Sequence, residues 1–332
     1  MFATPGEVQA VTSIQLGELD FDFTDPNELI VTLSSPEMNV GVLVVPGIPI
    51  PITASRQFVT LVDNGVDIAT FNTPWVLGVM DGNTLRTSVK KTVVNIIPER
   101  RDEFSAFITA LTVNPEHTFI LKGTVDVNLT ISLPAPPKPP SGFPGFGGGA
   151  ADTISKLAPS KTFTVSGIAF SSDVKLTGFN NFPDITFVEE LDKTTNADGS
   201  FTIKSKVNIK NTSQLGVKMG DIYFKTFDAM SNEPIGDTFL EQLDLKRGDN
   251  FVTAVTTSTV PAAASAEIYK RVTEQGETFR LKGFAESSKV DTILAKGIST
   301  VDTTIVIPAL SKPASAPAPA PAPASAPGPS SP

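Results

Sequence analysis

Apolar and polar side chains alternate most regularly between residues 200 and 261. Phe201, Ile203, Val207 and Ile209 point to one side of this stretch, whereas lysine, threonine and asparagine side chains point to the other. A period of two predicts an antiparallel strand with one buried face and its lysines in water. Three further strands follow across turns rich in polar residues and glycine, at residues 215–219, 222–227 and 251–260. Short strands at this spacing predict a β-sandwich.

The same period predicts strands earlier in the chain, at residues 13–23, 28–33, 57–71, 85–97 and 118–133. Two segments have a helical period instead, Glu99–Leu111 and Ala262–Glu274. Val40–Ile52 is the most apolar stretch, but it contains three prolines. These confine it to an edge strand, a bulge or an extended segment, and they exclude a membrane-spanning helix.

A six-residue pattern occurs twice in the chain. Thr118–Gly123 reads TFILKG and Thr278–Gly283 reads TFRLKG. A predicted helix precedes each copy, and an alternating strand that ends near a proline follows each copy. Duplication of one sheet-forming unit explains this arrangement better than chance does.

The turns within residues 200–261 follow a recognisable order. A strand ends in Asn211-Thr212-Ser213, and Leu215-Gly216-Val217, Ile235-Gly236 and a Leu-x-Arg-Gly-Asp-Asn turn at 245–250 come after it. This order resembles the WHy-type sandwich of the late-embryogenesis-abundant group-two proteins. The resemblance implies an immunoglobulin-like antiparallel sandwich without a catalytic signature.

Most of residues 10–310 is similar to a fungal family of uncharacterised two-domain proteins. The segments that carry the similarity are ITASRQFVTLVDNGVDIATFNTP at 52–74, DEFSAFITAL at 102–111 and TFILKG at 118–123. The resemblance implies a membrane segment before the repeats and a folded part that faces the vacuolar lumen or the cell exterior. One relative is implicated in terminating autophagy at the vacuole. Met1–Ala10 lacks the basic and apolar regions of a secretory signal, so a membrane tether is expected outside this chain.

These patterns together predict a mainly β fold. It consists of two tandem Ig-like or WHy-like antiparallel β-sandwiches, each with one packed helix. We expect the first sandwich at residues 1–134 and the second, WHy-like one at 161–310. A Pro- and Gly-rich linker is predicted at 135–160, and a disordered Ala/Pro tail at 311–332.

Charge and composition exclude several classes of function. The chain has 35 acidic and 26 basic side chains and a net charge of −9, so it lacks the basic surface that nucleic acid requires. It has no cysteine, which excludes disulfides and thiolate chemistry. The compartment stays open, because large extracytosolic sandwiches can lack disulfides.

Catalytic and cofactor motifs are not predicted. His117 is the single histidine and is expected to be a surface-turn residue, and one histidine without cysteine cannot make a zinc site. Gly145–Ala150 matches the G-x-G-x-x-A string of dinucleotide-binding loops. A Pro-rich run precedes it where a strand is required, so it is interpreted as linker. We therefore expect no catalytic residue, no cofactor and no metal.

Carboxylate clusters are interpreted as surface or turn residues. The alternatives are a calcium site at Asp20, Asp22, Asp25 and Glu28, a calcium loop at Asn196–Gly199, and acid–base pairs at Glu189/Glu190 or Glu99/Glu103. The first two lack the remaining ligands of a calcium loop. Nothing in the sequence places either glutamate pair across a cleft.

Three other residues have candidate roles. Asn128 and Asn211 begin N-x-Ser/Thr triplets and are possible N-glycosylation sites if the chain is secreted. Asn211 is also placed at a turn. Trp75 is expected to be a core or inter-sheet anchor, with sugar stacking or membrane contact as alternatives.

The sequence favours a non-catalytic binding or scaffold protein at a membrane or cell surface, with an unidentified protein or lipid partner. The alternative is a lipid-binding or lipid-transfer module that holds an acyl chain in an apolar groove. A contiguous apolar cavity would favour the second hypothesis over the first. An enzyme that acts on carbohydrate through two carboxylates comes third.

Overall fold

The computed structural model describes residues 11–42, 52–132, 160–182, 185–288 and 291–309, and they are mainly β-strand. The strands of the first half are β1 Val11–Leu16, β2 Leu19–Asp22, β3 Ile30–Val42, β4 Ile52–Asp63, β5 Val66–Asn72, β6 Val76–Leu77, β7 Val79–Asp81, β8 Thr84–Ile96, β9 Glu116–Ser132 and β10 Ser160–Thr177. Those of the second half are β11 Ile185–Thr195, β12 Phe201–Asn211, β13 Leu215–Asp228, β14 Pro234–Leu245, β15 Gly248–Ser258, β16 Glu277–Lys282 and β17 Asp302–Ile307. The helices are a 3₁₀ turn at Pro98–Arg100, α1 Arg101–Val113, α2 Ala262–Gln275 and α3 Thr292–Ile298.

Seven strands of the second half close into a barrel, here called the second barrel. Its strand order is β11–β12–β15–β14–β13–β16–β17, and β17 returns to pair in parallel with β11. All other neighbouring strands in it are antiparallel. A tandem pair of Ig-like sandwiches is not established by this pairing, because closure joins all seven strands into one sheet.

Seven strands of the first half have the same arrangement, here called the first ring. Their order is β1–β3–β8–β5–β4–β9–β10, and β10 lies beside β1, where the Ile14 N–H donates to Ser172 Oγ at 3.0 Å. Each strand of the first ring corresponds, in chain order, to one of the second barrel. A helix follows β8 and another follows β15, and β2, β6 and β7 are additional. The repeated topology supports the duplication inferred from the TFILKG and TFRLKG segments.

β10 belongs to the first ring although it follows the Pro- and Gly-rich segment. It pairs with β9 from Ser160↔Ser132 to Thr177↔Glu116. Residues 133–159 therefore connect two adjacent strands of one ring, and the chain passes to the second barrel between residues 177 and 185. This differs from a linker between units at 135–160, since composition marks a connection without showing which strands it joins. The Gly145–Ala150 string and the tail at 311–332 lie outside the described residues.

The two halves share one apolar core. β2 pairs with β3 of the first ring and, in parallel, with β13 of the second barrel. α1 packs on α3, with Gly297 against the Ile108 side chain, and Lys296 Nζ lies 3.0 Å from Asp102 Oδ1. The expected one helix per unit is thus present, and α3 adds a contact between units. A seven-residue helix is too short for a periodic signal in the sequence.

Asp291 caps α3 at this junction. Its Oδ1 accepts the Leu294 N–H at 2.9 Å, whereas its buried Oδ2 has no hydrogen-bond partner within the described residues. Burial raises the pKa of Asp291, and the charge of Glu28 adds to this effect. The deprotonated form is therefore less stable in the folded chain than in the unfolded one.

Replacing Asp291 with asparagine should stabilise the fold at neutral pH, because the amide oxygen keeps the cap while the buried charge is removed. The folded pKa lies above the unfolded value of about 3.9, so the penalty is absent below the unfolded pKa. It develops as pH rises towards the folded pKa and is constant above it. Urea unfolding of both proteins between pH 4 and pH 8 should show a difference that grows with pH. A difference independent of pH would contradict this account.

Candidate functional site

The interior of the second barrel is a mostly apolar lumen. The inward positions of β12, the strand with the most regular alternation, contribute Phe201, Ile203 and Val207 to it. Across the lumen lie Leu240 and Leu281. The recess is partly open and has a cavity volume of about 80 Å³, and the non-atom space in it, which includes open solvent, is about 870 Å³.

Helix α2 covers one end of the lumen with Ile268, Tyr269 and Val272. Arg271 fixes the helix, because its guanidinium lies 2.7 Å from Asp228 Oδ2 and 3.2 Å from Glu277 Oε2. Burial alone would raise the pKa of Asp228, but hydrogen bonds from backbone N–H groups and Arg271 outweigh it and lower the pKa. The carboxylate therefore stays charged and holds α2 over the barrel.

The seam between β11 and β17 opens beside α2. The two strands pair only at Ile185↔Ile305 and Thr186↔Val306 among the described residues. Beyond this point the Tyr269 hydroxyl donates to Glu190 Oε2 at 3.3 Å. Burial, and then the charge of Glu190, raise the pKa of Tyr269. The tyrosine thus stays protonated and links α2 to β11 beside the seam, with its hydroxyl 3.4 Å and 3.3 Å from the two Glu190 carboxylate oxygens.

A row of three threonine hydroxyls crosses the lumen wall. Thr238 Oγ1 lies 2.7 Å from Thr226 Oγ1 and 2.9 Å from Thr256 Oγ1. The three side chains come from β14, β13 and β15 and line the recess. Pattern analysis missed this row, because threonine in a Val/Thr-rich strand is typical of strand propensity in general.

The first ring contains a second apolar recess of about 230 Å³ between its strands. Val42, Ile52 and Leu129 line it, and they lie at or near the borders of segments outside the described residues. The lumen of the second barrel is the better-defined candidate site, because described residues of all seven strands and of α2 line it.

His117 is placed differently from the expectation. It lies at the start of β9, only 14% of its side chain is exposed, and its Nε2 is 2.8 Å from Asp63 Oδ1. The Phe107 ring packs edge-on against the imidazole, with centroids 5.6 Å apart. The surface-turn prediction is wrong, because the partner carboxylate is supplied by the distant end of β4. The pair joins β4, β9 and α1.

Trp75 is not a core residue, which corrects the expectation of an inter-sheet anchor. It is 38% exposed, and the Arg56 guanidinium lies 5.1 Å from its ring centroid. Leu77 and Val79, in β6 and β7, are 80% and 68% exposed. The tryptophan side chain is therefore exposed, as are those of Leu77 and Val79, which follow it closely in the chain.

The two candidate glycosylation sites differ in burial. Asn128 is half-buried in β9, where its Oδ1 accepts from Thr164 Oγ1 at 2.8 Å. Asn211 is fully buried, and its Nδ2, the atom to which a glycan would attach, donates to the Leu215 carbonyl at 2.6 Å. In the folded chain Asn211 acts as the turn residue between β12 and β13, with no room for a sugar. Glycosylation of Asn128 stays a prediction.

The predicted carboxylate clusters are paired with nearby groups. Asp20 and Asp22 lie 3.7 Å and 3.2 Å from Lys246 and Lys218, across the β2–β13 junction. Asp198 accepts from the Ser200 N–H and hydroxyl in the β11–β12 turn. Three of the four glutamates in the supposed acid–base pairs have separate partners: Lys206 for Glu189, Tyr269 for Glu190 and Arg100 for Glu103. Within the described ranges, no three His, Cys, Asp or Glu side chains converge as metal ligands would.

Among the described helices, none combines the length and hydropathy needed to cross a bilayer. Residues 156–226 match a family described as "Protein of unknown function (DUF3712)", a range that includes β10–β12 and most of β13. No curated protein shows significant similarity to the chain, and no solved structure does.

Proposed function

We propose that this chain is a non-catalytic binding protein that holds a small apolar compound in the lumen of the second barrel. The observation that carries the proposal is a continuous apolar recess inside a closed sheet, covered by one helix. Apolar ligands bind in such concave, mostly hydrophobic sites, which contain a few placed polar groups. Glu190 is the single charged side chain among the described lining residues, and it is engaged by Tyr269.

The size of the lumen limits the ligand. The cavity volume of about 80 Å³ is roughly half the 150 Å³ cavity that holds benzene in an engineered protein. This volume suits a slender alkyl group, and the rest of a longer molecule would extend towards solvent. This supports a lipid-binding role of the kind expected for an acyl chain, with one chain end inserted.

We also propose that the chain acts at a membrane. The WHy-like and fungal resemblances rest on the segments quoted above, and they support a location at a membrane that faces the vacuolar lumen or the cell exterior. The exposure of three large apolar side chains close together in the chain, Trp75, Leu77 and Val79, supports a second candidate function, which is attachment to a membrane or protein surface through this segment.

Filling the lumen should remove ligand binding. Ala254 is buried in the lumen wall, so Ala254→Phe should abolish co-purifying lipid in native mass spectra, and Ala254→Leu should reduce it. Ala169→Phe, an equivalent change at an exposed position of β10, is the matched control and should retain the lipid. A chain that carries no lipid and binds no added short-chain probe would overturn the proposal. Vesicle binding unchanged by Ala254→Phe would favour the surface function.

A further inference from the structure

The threonine row of the second barrel leaves one hydroxyl proton without an acceptor. Three hydroxyls supply three protons, and the contacts Thr226–Thr238 and Thr238–Thr256 use two of them. The described residues offer no other side-chain partner to the Thr226 or Thr256 hydroxyl. An unused donor in an apolar wall is costly, so an acceptor atom of a ligand is favoured there.

The row lies near the covered end of the lumen. Three residues of β15 face the lumen, and Ser258 is the outermost of them. Its Oγ accepts a hydrogen bond from the Ser265 hydroxyl of α2 at 2.6 Å. Thr256 comes next and pairs with Ile203 and Thr238, and Ala254 lies deeper, opposite Leu240. If a polar atom of a ligand binds to the threonine row, the apolar chain of that ligand therefore extends towards Ala254 and Leu240.

The lining of the lumen disfavours an ionised head group on the threonine row, although the Lys193 ammonium lies against two lining rings, 5.1 Å from the Phe201 centroid and 3.3 Å from the Tyr269 centroid. No lysine or arginine lines the recess among the described residues, and Glu190 lies at its opening. A carboxylate placed on the row would be desolvated by the apolar wall, and no cation among the described lining residues pairs with it there. A neutral carbonyl oxygen needs only the one donor that the row supplies.

We infer that the second barrel selects uncharged apolar compounds with one accepting oxygen, such as a ketone or an ester carbonyl, which it binds on the Thr226–Thr238–Thr256 row. The inference rests on the proposed function and adds the chemical class of the ligand. The oxygen accepts from the free hydroxyl at one end of the row, and the alkyl chain fills the deeper lumen.

The test compares three probes of one chain length on the full chain: 2-hexanone, n-hexane and hexanoate, by ligand-observed NMR below their solubility limits. We expect 2-hexanone to bind most tightly. Thr256→Val keeps the shape of the side chain. It should weaken the binding of 2-hexanone about 5- to 10-fold and change the affinity for n-hexane by less than about twofold. The matched control is Thr257→Val, because Thr257 makes the same kind of hydroxyl contact, 3.2 Å to Thr202, outside the lumen lining.

Each contrary result separates the two proposals. Equal binding of 2-hexanone and n-hexane, unchanged by Thr256→Val but lost in Ala254→Phe, would overturn recognition by the row and leave the lumen as the binding site. Tightest binding of hexanoate would overturn selection for neutral ligands. Failure of all three probes to bind would overturn the proposed function together with this inference.

Discussion

Replacing Gly283 with alanine should destabilise the chain by about 3 kcal/mol or more, as severe overpacking does. Gly283 ends the TFRLKG segment where β16 passes the C-terminal end of α3. A Cβ at this position would come within 3.0 Å of the Ile298 carbonyl oxygen, and real Cβ atoms essentially never approach so closely. The Ile298 oxygen belongs to the backbone, and the Gly283 N–H donates to the Val301 carbonyl at 2.9 Å. Neither backbone segment can therefore move away without a large loss of stability. Urea unfolding would measure the loss.

Gly123, at the end of the TFILKG segment, should behave in the same way. Its Cβ would collide with the Phe58 carbonyl oxygen on the adjacent strand β4. Gly65 is the matched control, because it has a left-handed φ of +79° but nothing within 4 Å of its added Cβ. Gly65→Ala should therefore lower the free energy of unfolding by only about 1–2 kcal/mol, which is the energy of placing a residue with a Cβ in the left-handed conformation. Equal losses at Gly65 and Gly283 would show that close approach is not the cause.

This close approach explains why the repeat could be detected from sequence. TFILKG and TFRLKG each place two inward apolar residues, a surface lysine and a glycine that must lie against a neighbouring backbone. Local constraints of this kind leave a pattern in the chain. Strand alternation in β12 and helical periodicity in α1 and α2 were predicted for the same reason, since each depends on residues close in sequence.

The closure of the barrel could not be predicted in this way. β11 and β17 are more than 100 residues apart and, in the part of the chain that the structure describes, pair at only two positions. β10 joins a ring from beyond a Pro- and Gly-rich segment. Strand partners so distant are chosen by the packing of the whole core, not by local pattern. The mainly β fold was predicted correctly, whereas the tandem sandwich arrangement is not confirmed.

The candidate site was hidden for a related reason. Thr226, Thr238 and Thr256 lie on three strands, and only their pairing register brings the hydroxyls into a row. Tyr269 and Glu190 meet because α2 crosses the open seam. The burial of His117 was not predicted for the same reason, because its partner Asp63 comes from another strand. Chemistry assembled from single residues of several elements leaves no local motif.

Asn211→Ala should cost about 2–4 kcal/mol, because it removes a buried side chain that satisfies both sides of the β12–β13 turn. Its Nδ2 donates to the Leu215 carbonyl at 2.6 Å, and its Oδ1 accepts from the Ser213 N–H at 2.9 Å and the Ser213 hydroxyl at 2.7 Å. Asn128→Ala is the control, because Asn128 is half-buried and its side chain accepts a hydrogen bond from Thr164. This variant should lower the free energy of unfolding by about 1 kcal/mol. Urea unfolding of both variants measures the difference.

Asn211→Asp separates the hydrogen bonds from simple packing. At neutral pH a carboxylate oxygen would face the Leu215 carbonyl where the amide now donates, in a site with no exposed surface, so this variant should be the less stable of the two at this position. Protonation supplies an O–H that can donate to the same carbonyl. The raised folded pKa of the introduced acid means that its stability relative to Asn211→Ala should improve as pH falls from 7 towards 4. A gap between the two variants that does not change with pH would show that the side chain fills space without organising the turn.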